Sequence, residues 1–229
     1  NNSMTVGAVT TGSPFGTYQT VSPSSTIAGA SSRYQIGLPL SGGTTYVGWS
    51  FVKYSAGNGW FVIDLYDSGK SSERSWFDVQ NGVVGTKDPL IIDHGMIDYG
   101  DGWWLCWASS ASTNVSGGLS VEVATGDGVL ASNSGDVILF AGSQLEAGSF
   151  ASSYIPTTGA PATRAADVAS IPTSAFGYNS EGGTVVCDFN TSFGGTNFPR
   201  VWEIGSTINN QDRINLFGYA PTGIIGTGF

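Results

Sequence analysis

Apolar and polar residues alternate in many short runs along this chain, and turn-forming residues separate most runs from the next. A spacing of two residues is typical of strands, because successive side chains point to opposite faces of a sheet. No stretch keeps a period of 3.6, so we expect almost no helix. The predicted strands before residue 144 are 4–9, 17–21, 33–38, 44–54, 60–67, 74–79, 83–85, 90–99, 103–108, 119–123 and 136–141. Strands of this length, with turns about every 8–12 residues, predict an antiparallel β-sandwich of the jelly-roll type.

The strand at residues 44–54 has apolar side chains on both faces, with Trp49 and Phe51 on one and Val52 on the other. Apolar residues on both faces are typical of a central strand. The Gly-Asn-Gly turn at 57–59 predicts a hairpin that pairs this strand with residues 60–67.

A turn-rich segment at residues 156–172 separates two strand-rich blocks. Its first residue, Pro156, fixes its own φ and favours an extended conformation for the residue before it. We therefore predict a jelly roll at residues 1–155, a linker at 156–172, and an incomplete second β-sandwich at 173–229. The second block carries predicted strands at 183–189, 201–205 and 212–218. Because both ends of the sequence interrupt the pattern, we interpret the chain as part of a longer protein.

The charge balance narrows the classes of partner. Only 11% of the residues are charged, and the formal net charge is -9. Nucleic-acid binding needs a basic footprint, so this balance argues against it and against anionic membrane surfaces. No segment has the length of a membrane-spanning helix, so we predict no membrane insertion. The cysteines, Cys106 and Cys187, lie in apolar strands and are predicted to be buried thiols, with a disulfide as the alternative.

Tryptophan is concentrated between residues 60 and 107. An exposed indole can stack on the apolar face of a sugar ring while polar neighbours bind the hydroxyls. The candidate glycan-binding residues are Trp60, Trp104 and Trp107. The alternative is that these side chains only pack in the core or at strand edges.

We predict no catalytic residues. Glycoside hydrolysis needs two carboxylates at a set separation, and the sequence identifies no such pair. The acidic candidates are Asp64, Asp67, Asp78, Asp93, Asp98, Asp101 and Glu146, most of them beside turn residues where Asp is favoured locally. The single histidine, His94, is interpreted as a solvated loop residue. No cofactor is predicted, although Asp127, Asp64 and Asp67 could contribute to a calcium site.

The segment at the end of the first block resembles a junction found in bacteriophage virion proteins. The matching residues are 144–148 (QLEAG), 152–157 (SSYIPT) and 163–167 (TRAAD). Upstream, residues 46–53, 74–82 and 101–104 are similar to a strand, a hairpin and a turn of the same proteins, although Leu105 stands where they often have Arg.

This resemblance implies a carbohydrate-binding-module-like jelly roll followed by a laminin-G or concanavalin-A-like domain. It implies a virion location, on a tail fibre, tailspike, baseplate or head fibre, with other phage structural proteins as partners. It also implies a homo-oligomer, for which a trimer is one arrangement, and contact with host-surface glycans.

We expect a structural and adhesive module. The alternatives are a polysaccharide depolymerase tailspike, or its accessory module, and a bacterial secreted adhesin. The resemblance further predicts that Leu145 is buried and that residues 154–156 pack against the first sandwich.

Overall fold

The computed structural model describes residues 4–26, 28–29, 31–70, 73–157, 159–163, 170–179, 181–184, 186, 200–205, 213–219 and 224–228. The strands are β1 Met4–Val6, β2 Thr10–Thr11, β3 Thr17–Pro23, β4 Ser31–Pro39, β5 Thr45–Ala56, β6 Trp60–Asp67, β7 Glu73–Asp78, β8 Val83–Lys87, β9 Ile91–Asp98, β10 Trp103–Ala111, β11 Ser116–Ala124, β12 Val137–Ala147, β13 Arg200–Gly205, β14 Arg213–Tyr219 and β15 Ile224–Gly228. The one helical segment within these described ranges is a 3-10 turn at Thr173–Ala175.

Two antiparallel sheets form the first part of the chain. One has the order β1-β3-β12-β5-β10-β9, with β2 also paired to β3, and the other has the order β4-β11-β6-β7-β8. The sheets pack face to face, so the predicted all-β antiparallel sandwich is confirmed. The prediction that β5 is central is also confirmed, since it lies between β12 and β10.

The main core lies between the two sheets. It takes alternate residues of each strand, because every second side chain points to the same face. From the seven-stranded sheet it includes Val52, Cys106 and Ile138, and from the five-stranded sheet it includes Phe61 and Phe77. A smaller apolar cluster lies on the outer face of each sheet.

The predicted hairpin between β5 and β6 is wrong. These strands belong to different sheets, so residues 57–59 form an arch that crosses the sandwich. Asp136 holds this arch, accepting hydrogen bonds from the backbone N–H of Asn58 at 2.8 Å and from its side-chain amide at 2.9 Å. Gly57 has φ +83°, a conformation that residues with a side chain rarely adopt. A glycine turn therefore signals a reversal but does not say which sheet receives the next strand.

The last strand of the sandwich is longer than predicted, since β12 continues to Ala147 instead of ending near residue 141. A bulge between Phe140 and Gly142 shifts its register against β5 and keeps the strand paired beyond the apolar run. Leu145 is consequently half-buried and packs against the main core.

Contacts divide the chain into two compact units, residues 1–162 and 163–229. In the second unit β13, β14 and β15 form an antiparallel three-stranded sheet. Of the predicted strand at 183–189, residues 183, 184 and 186 are not in a strand, and the other positions lie outside the described residues. The predicted limits of the jelly roll, the linker and the second domain remain predictions.

Candidate functional site

The three predicted glycan-binding tryptophans lie in different places. Trp60 is on the outer face of the five-stranded sheet, packed against the cluster of Val62 and Trp76. Trp104 points between the sheets and packs against the main core. Trp107 is on the outer face of the seven-stranded sheet and is partly exposed. They therefore do not form one platform, and glycan binding at any of them remains a prediction.

The outer face of the seven-stranded sheet has the densest aromatic packing. Its residues can be read as rows across β12, β5, β10 and β9, because the register places them directly opposite one another. The successive rows are Glu146–Val47–Ser109–Asp93, then Gln144–Trp49–Trp107–Gly95, then Gly142–Phe51–Leu105–Ile97. Val47, Trp49, Phe51 and Leu105 are all almost completely buried. Other parts of the chain must therefore cover β5 and, at Leu105, part of β10.

Part of this cover is residues 149–156, which we call the strap. Glu146 accepts hydrogen bonds from the indole N–H of Trp49 at 2.9 Å and from the backbone N–H of Ser152 at 2.8 Å. The side-chain oxygen of Gln144 accepts a hydrogen bond from the backbone N–H of Ile155 at 2.7 Å. These two outward-facing side chains of β12 therefore bind the backbone that follows the strand.

Tyr154 packs the strap onto the sheet. Its ring lies 5.9 Å from that of Trp49 and 4.9 Å from that of Phe15, measured between centroids. Phe15 in turn contacts Phe51, edge to face, at 4.3 Å. Such edge and tilted arrangements are favourable beyond the area they bury. Tyr154 and Ile155 are half-buried while Pro156 is exposed, so the predicted packing is confirmed for the first two and is wrong for Pro156.

The β9 side of the same face is more open, whereas on β10 Leu105 and Ser109 are buried and Trp107 is partly exposed. Ile97 is 47% exposed and Tyr99 is 52% exposed, although the Tyr99 ring contacts Phe51 at 4.6 Å. Trp107 lies across Gly95: a Cβ placed on that glycine would come within 2.9 Å of the indole nitrogen. In the register, Trp107 lies between Trp49 and Gly95, with Asp93 one row away in one direction and Ile97 one row away in the other.

The outer face of the five-stranded sheet carries a charged network. Arg74 lies 3.0 Å from Asp64 and 3.1 Å from Glu122. Burial raises the pKa of Glu122, and its hydrogen bond with Arg74 offsets only part of that rise. Beside this network the indole of Trp76 donates to the carbonyl of Val129 at 3.2 Å. The partners of all these groups are internal, so they hold β6, β7 and β11 together.

The acidic residues considered for catalysis or calcium lie at separate structural positions. Asp67 accepts the backbone N–H groups of Gly69 and Thr113, which closes two loops at one end of the sandwich. Asp127 accepts hydrogen bonds from both the backbone and the side chain of Thr86. Asp78, Asp98 and Asp136 accept backbone N–H groups in turns. No group of three or more His, Cys, Asp or Glu residues in the described part of the chain could hold a metal ion.

His94 and Cys106 both lie in strands. The interpretation of His94 as a solvated loop residue is wrong, because it is half-buried in β9 with its ring 6.0 Å from that of Phe77. Burial, together with the charge of Lys87, lowers the pKa of His94. Cys106 is a buried free thiol as predicted, whereas Cys187 lies outside the described residues.

Sequence reasoning missed the strap-binding roles of Gln144 and Glu146 and the proximity of Gly95 to Trp107. The alternation Asp93-x-Gly95-x-Ile97-x-Tyr99 was a usable signal, since it places these side chains on one face of β9. The partner strand, which puts Trp107 opposite Gly95, could not be read from that alternation.

No protein-family model matches this chain, and no curated protein is significantly similar to it. Among the described residues no helix is long and apolar enough to span a membrane.

Proposed function

We propose that the chain is a structural and adhesive module of a bacteriophage particle, carried on a surface appendage such as a tail fibre, spike, baseplate or head fibre. The support from the sequence is the junction at residues 144–167, which resembles that of phage virion proteins. The observation that carries the proposal is the role of this junction in the fold, where Gln144, Glu146 and Tyr154 bind the exiting chain to the sandwich.

A strap that is bound to the sandwich where the chain leaves it would suit a surface appendage. The strap restrains the direction in which the chain leaves the sandwich, because hydrogen bonds at Ser152 and Ile155 hold its backbone. A flexible linker of Gly and Ser behaves as a random coil, whereas a connection held by hydrogen bonds keeps its direction. The same proposal includes assembly with other phage structural proteins. Most soluble homo-oligomers have closed symmetry, and we propose a cyclic homo-oligomer, of which a trimer is one arrangement.

The adhesive part of the proposal is contact with host-surface glycans, without catalysis. The net charge of -9 gives little attraction for nucleic acid. The carboxylates of Asp64, Asp67 and Glu146 bind partners within the fold, so a structural role explains their presence.

Mass spectrometry of purified phage particles tests the location. Peptides of this chain should be found in the particles at a level comparable with other structural proteins. Their absence would refute the proposal, and recovery from the surface of uninfected bacteria would favour a bacterial adhesin instead.

Incubation with host polysaccharide tests the absence of catalysis. Release of reducing ends that is lost when one aspartate is replaced would identify a depolymerase.

A further inference from the structure

The outer face of the seven-stranded sheet is closed on one side and open on the other. The strap and Phe15 lie over β12 and β5, where Trp49 and Phe51 are almost completely buried. On β10, the partly exposed Trp107 lies between Trp49 of β5 and Gly95 of β9, and the exposed side chain of Ile97 is one row away. We call this open area, which consists of Trp107 with Asp93, Gly95 and Ile97, the trough.

Trp107 is held in one orientation. On one side it packs against the buried cluster that includes Trp49 and Leu105. On the other side it crosses Gly95, where an added Cβ would lie 2.9–3.1 Å from three atoms of the indole. Real Cβ atoms essentially never come within 3.0 Å of another heavy atom, so even an alanine would require the ring or the strand to shift. An aromatic ring positioned in advance loses little conformational entropy when a ligand binds.

The trough has unused hydrogen-bonding groups beside this ring. The indole N–H groups of Trp49 and Trp76 donate to Glu146 and to the carbonyl of Val129. Within the described residues the N–H of Trp107 has no such acceptor. One row away, Asp93 is exposed, and only its Oδ1 is engaged, by the N–H of the next residue. An apolar ring face flanked by a donor and an acceptor matches a pyranose ring, which has C–H groups on its faces and hydroxyls at its edge.

The size of the trough favours a small ligand over a protein. On β10 only Trp107 is partly exposed in these rows, because Leu105 and Ser109 are buried. The open area is therefore mainly one strand wide, along three outward rows of β9, and covers about 100 Å². A stable protein interface needs about 800 Å² from each partner.

The charge of the trough selects among glycans. Asp93 is exposed on this face of β9, and Asp101 is exposed in the turn that follows the strand, whereas Asp98 points to the other face. Among the described residues, Lys53 and Lys87 donate to the backbone carbonyls of Asp101 and Ile92. Sugars bearing carboxylate or phosphate groups would meet like charge here, which costs free energy and narrows specificity.

We propose that the trough around Trp107 binds uncharged or N-acetylated pyranose units of a surface polysaccharide and disfavours acidic ones. The indole stacks on one sugar ring, and Asp93 accepts a hydrogen bond from a sugar hydroxyl. This inference rests on the adhesive role proposed above and names the site and the ligand class for it.

The test is a glycan array of bacterial surface polysaccharides, sorted by charge, probed with the full chain. Titration calorimetry then gives the affinity for the strongest binder. Trp107→Ala should weaken binding about tenfold or more, because truncating an aromatic anchor removes most of the binding energy of such a site. Gly95→Ala should weaken it as well, since it displaces the indole without removing it. Tyr66→Ala, which removes an exposed aromatic side chain from the other sheet, is the matched control and should bind as the wild type does.

Circular dichroism and thermal melting establish that each variant is folded, and Gly95→Ala keeps the test decisive if Trp107→Ala is unstable. Three results would overturn the inference: no binding to any polysaccharide on the array, binding only to acidic ones, or equal binding by the wild type and both trough variants. Failure here, with the chain still found in phage particles, would leave the structural role standing. Binding with the chain absent from particles would leave the site and refute the virion location.

Discussion

Replacing Glu146 by alanine should release the strap and destabilise the sandwich. This carboxylate accepts the indole N–H of Trp49 at 2.9 Å and the backbone N–H of Ser152 at 2.8 Å. Trp49 is completely buried, so its N–H would be left without a partner, which costs about 1–3 kcal/mol. Ser152 also donates its hydroxyl to Glu146, and its two hydrogen bonds to this carboxylate are exposed and add about 1 kcal/mol together. We therefore expect a loss of about 2–4 kcal/mol in the free energy of unfolding.

Urea denaturation followed by tryptophan fluorescence measures this loss, since six of the seven tryptophans lie in residues 1–162. Hydrogen exchange gives a local readout, in which the amide of Ser152 should exchange at least about tenfold faster in Glu146→Ala. Glu146→Gln is the matched control. It keeps an oxygen that can accept the Trp49 N–H, so about 1 kcal/mol should be lost. Unchanged unfolding and unchanged exchange at Ser152 in the alanine variant would refute the role assigned to the strap.

Three further results are expected. Tyr154→Ala should lower the free energy of unfolding by about 2 kcal/mol, because the ring contact with Trp49 is lost, whereas Tyr154→Phe should not, and equal effects in denaturation would contradict this. Asp67 has a lowered pKa, since the hydrogen bonds it accepts outweigh the opposing effect of its burial. It should therefore contribute stability above its unfolded value of about 3.8 that is lost as the pH falls through the lower folded pKa, and the acid unfolding curve of Asp67→Asn should lack this contribution. In a Cys187→Ser background, Cys106 should react with a thiol reagent only after unfolding, because burial raises its pKa well above 9.0, and fast labelling of the folded chain would contradict its placement.

The strands were predictable because their signal is local. Strand β6 matches its predicted limits of 60–67, and β13 and β14 each match within one residue. The two apolar faces of β5 also predicted its central position, since a strand at the middle of the seven-stranded sheet contacts the core on one side and the strap on the other. The alternation of apolar and polar residues indicates which positions are buried. The strand limits and the central position of β5 were predicted from that burial.

The candidate site was less predictable. Trp60, Trp104 and Trp107 come from one Trp-rich stretch, yet they lie on the outer face of one sheet, between the sheets, and on the outer face of the other. Adjacent residues of a strand point to opposite faces, so Trp103 and Trp104 had to separate. The face that each residue joins depends on the strand pairing, which is set by backbone hydrogen bonds between residues far apart in sequence.

By itself, the sequence determined that this protein contains an antiparallel β-sandwich, because period-two alternation and turn residues act over a few positions. It also marked the distinctive segment at residues 144–167, where the sandwich ends. Only the tertiary structure decided that β5 and β6 lie in different sheets and that Gly95 lies opposite Trp107. It also decided that Gln144, Glu146 and Tyr154 bind a strap to the outer face. These are contacts between distant parts of the chain, and close packing selects them only when both sheets are in place.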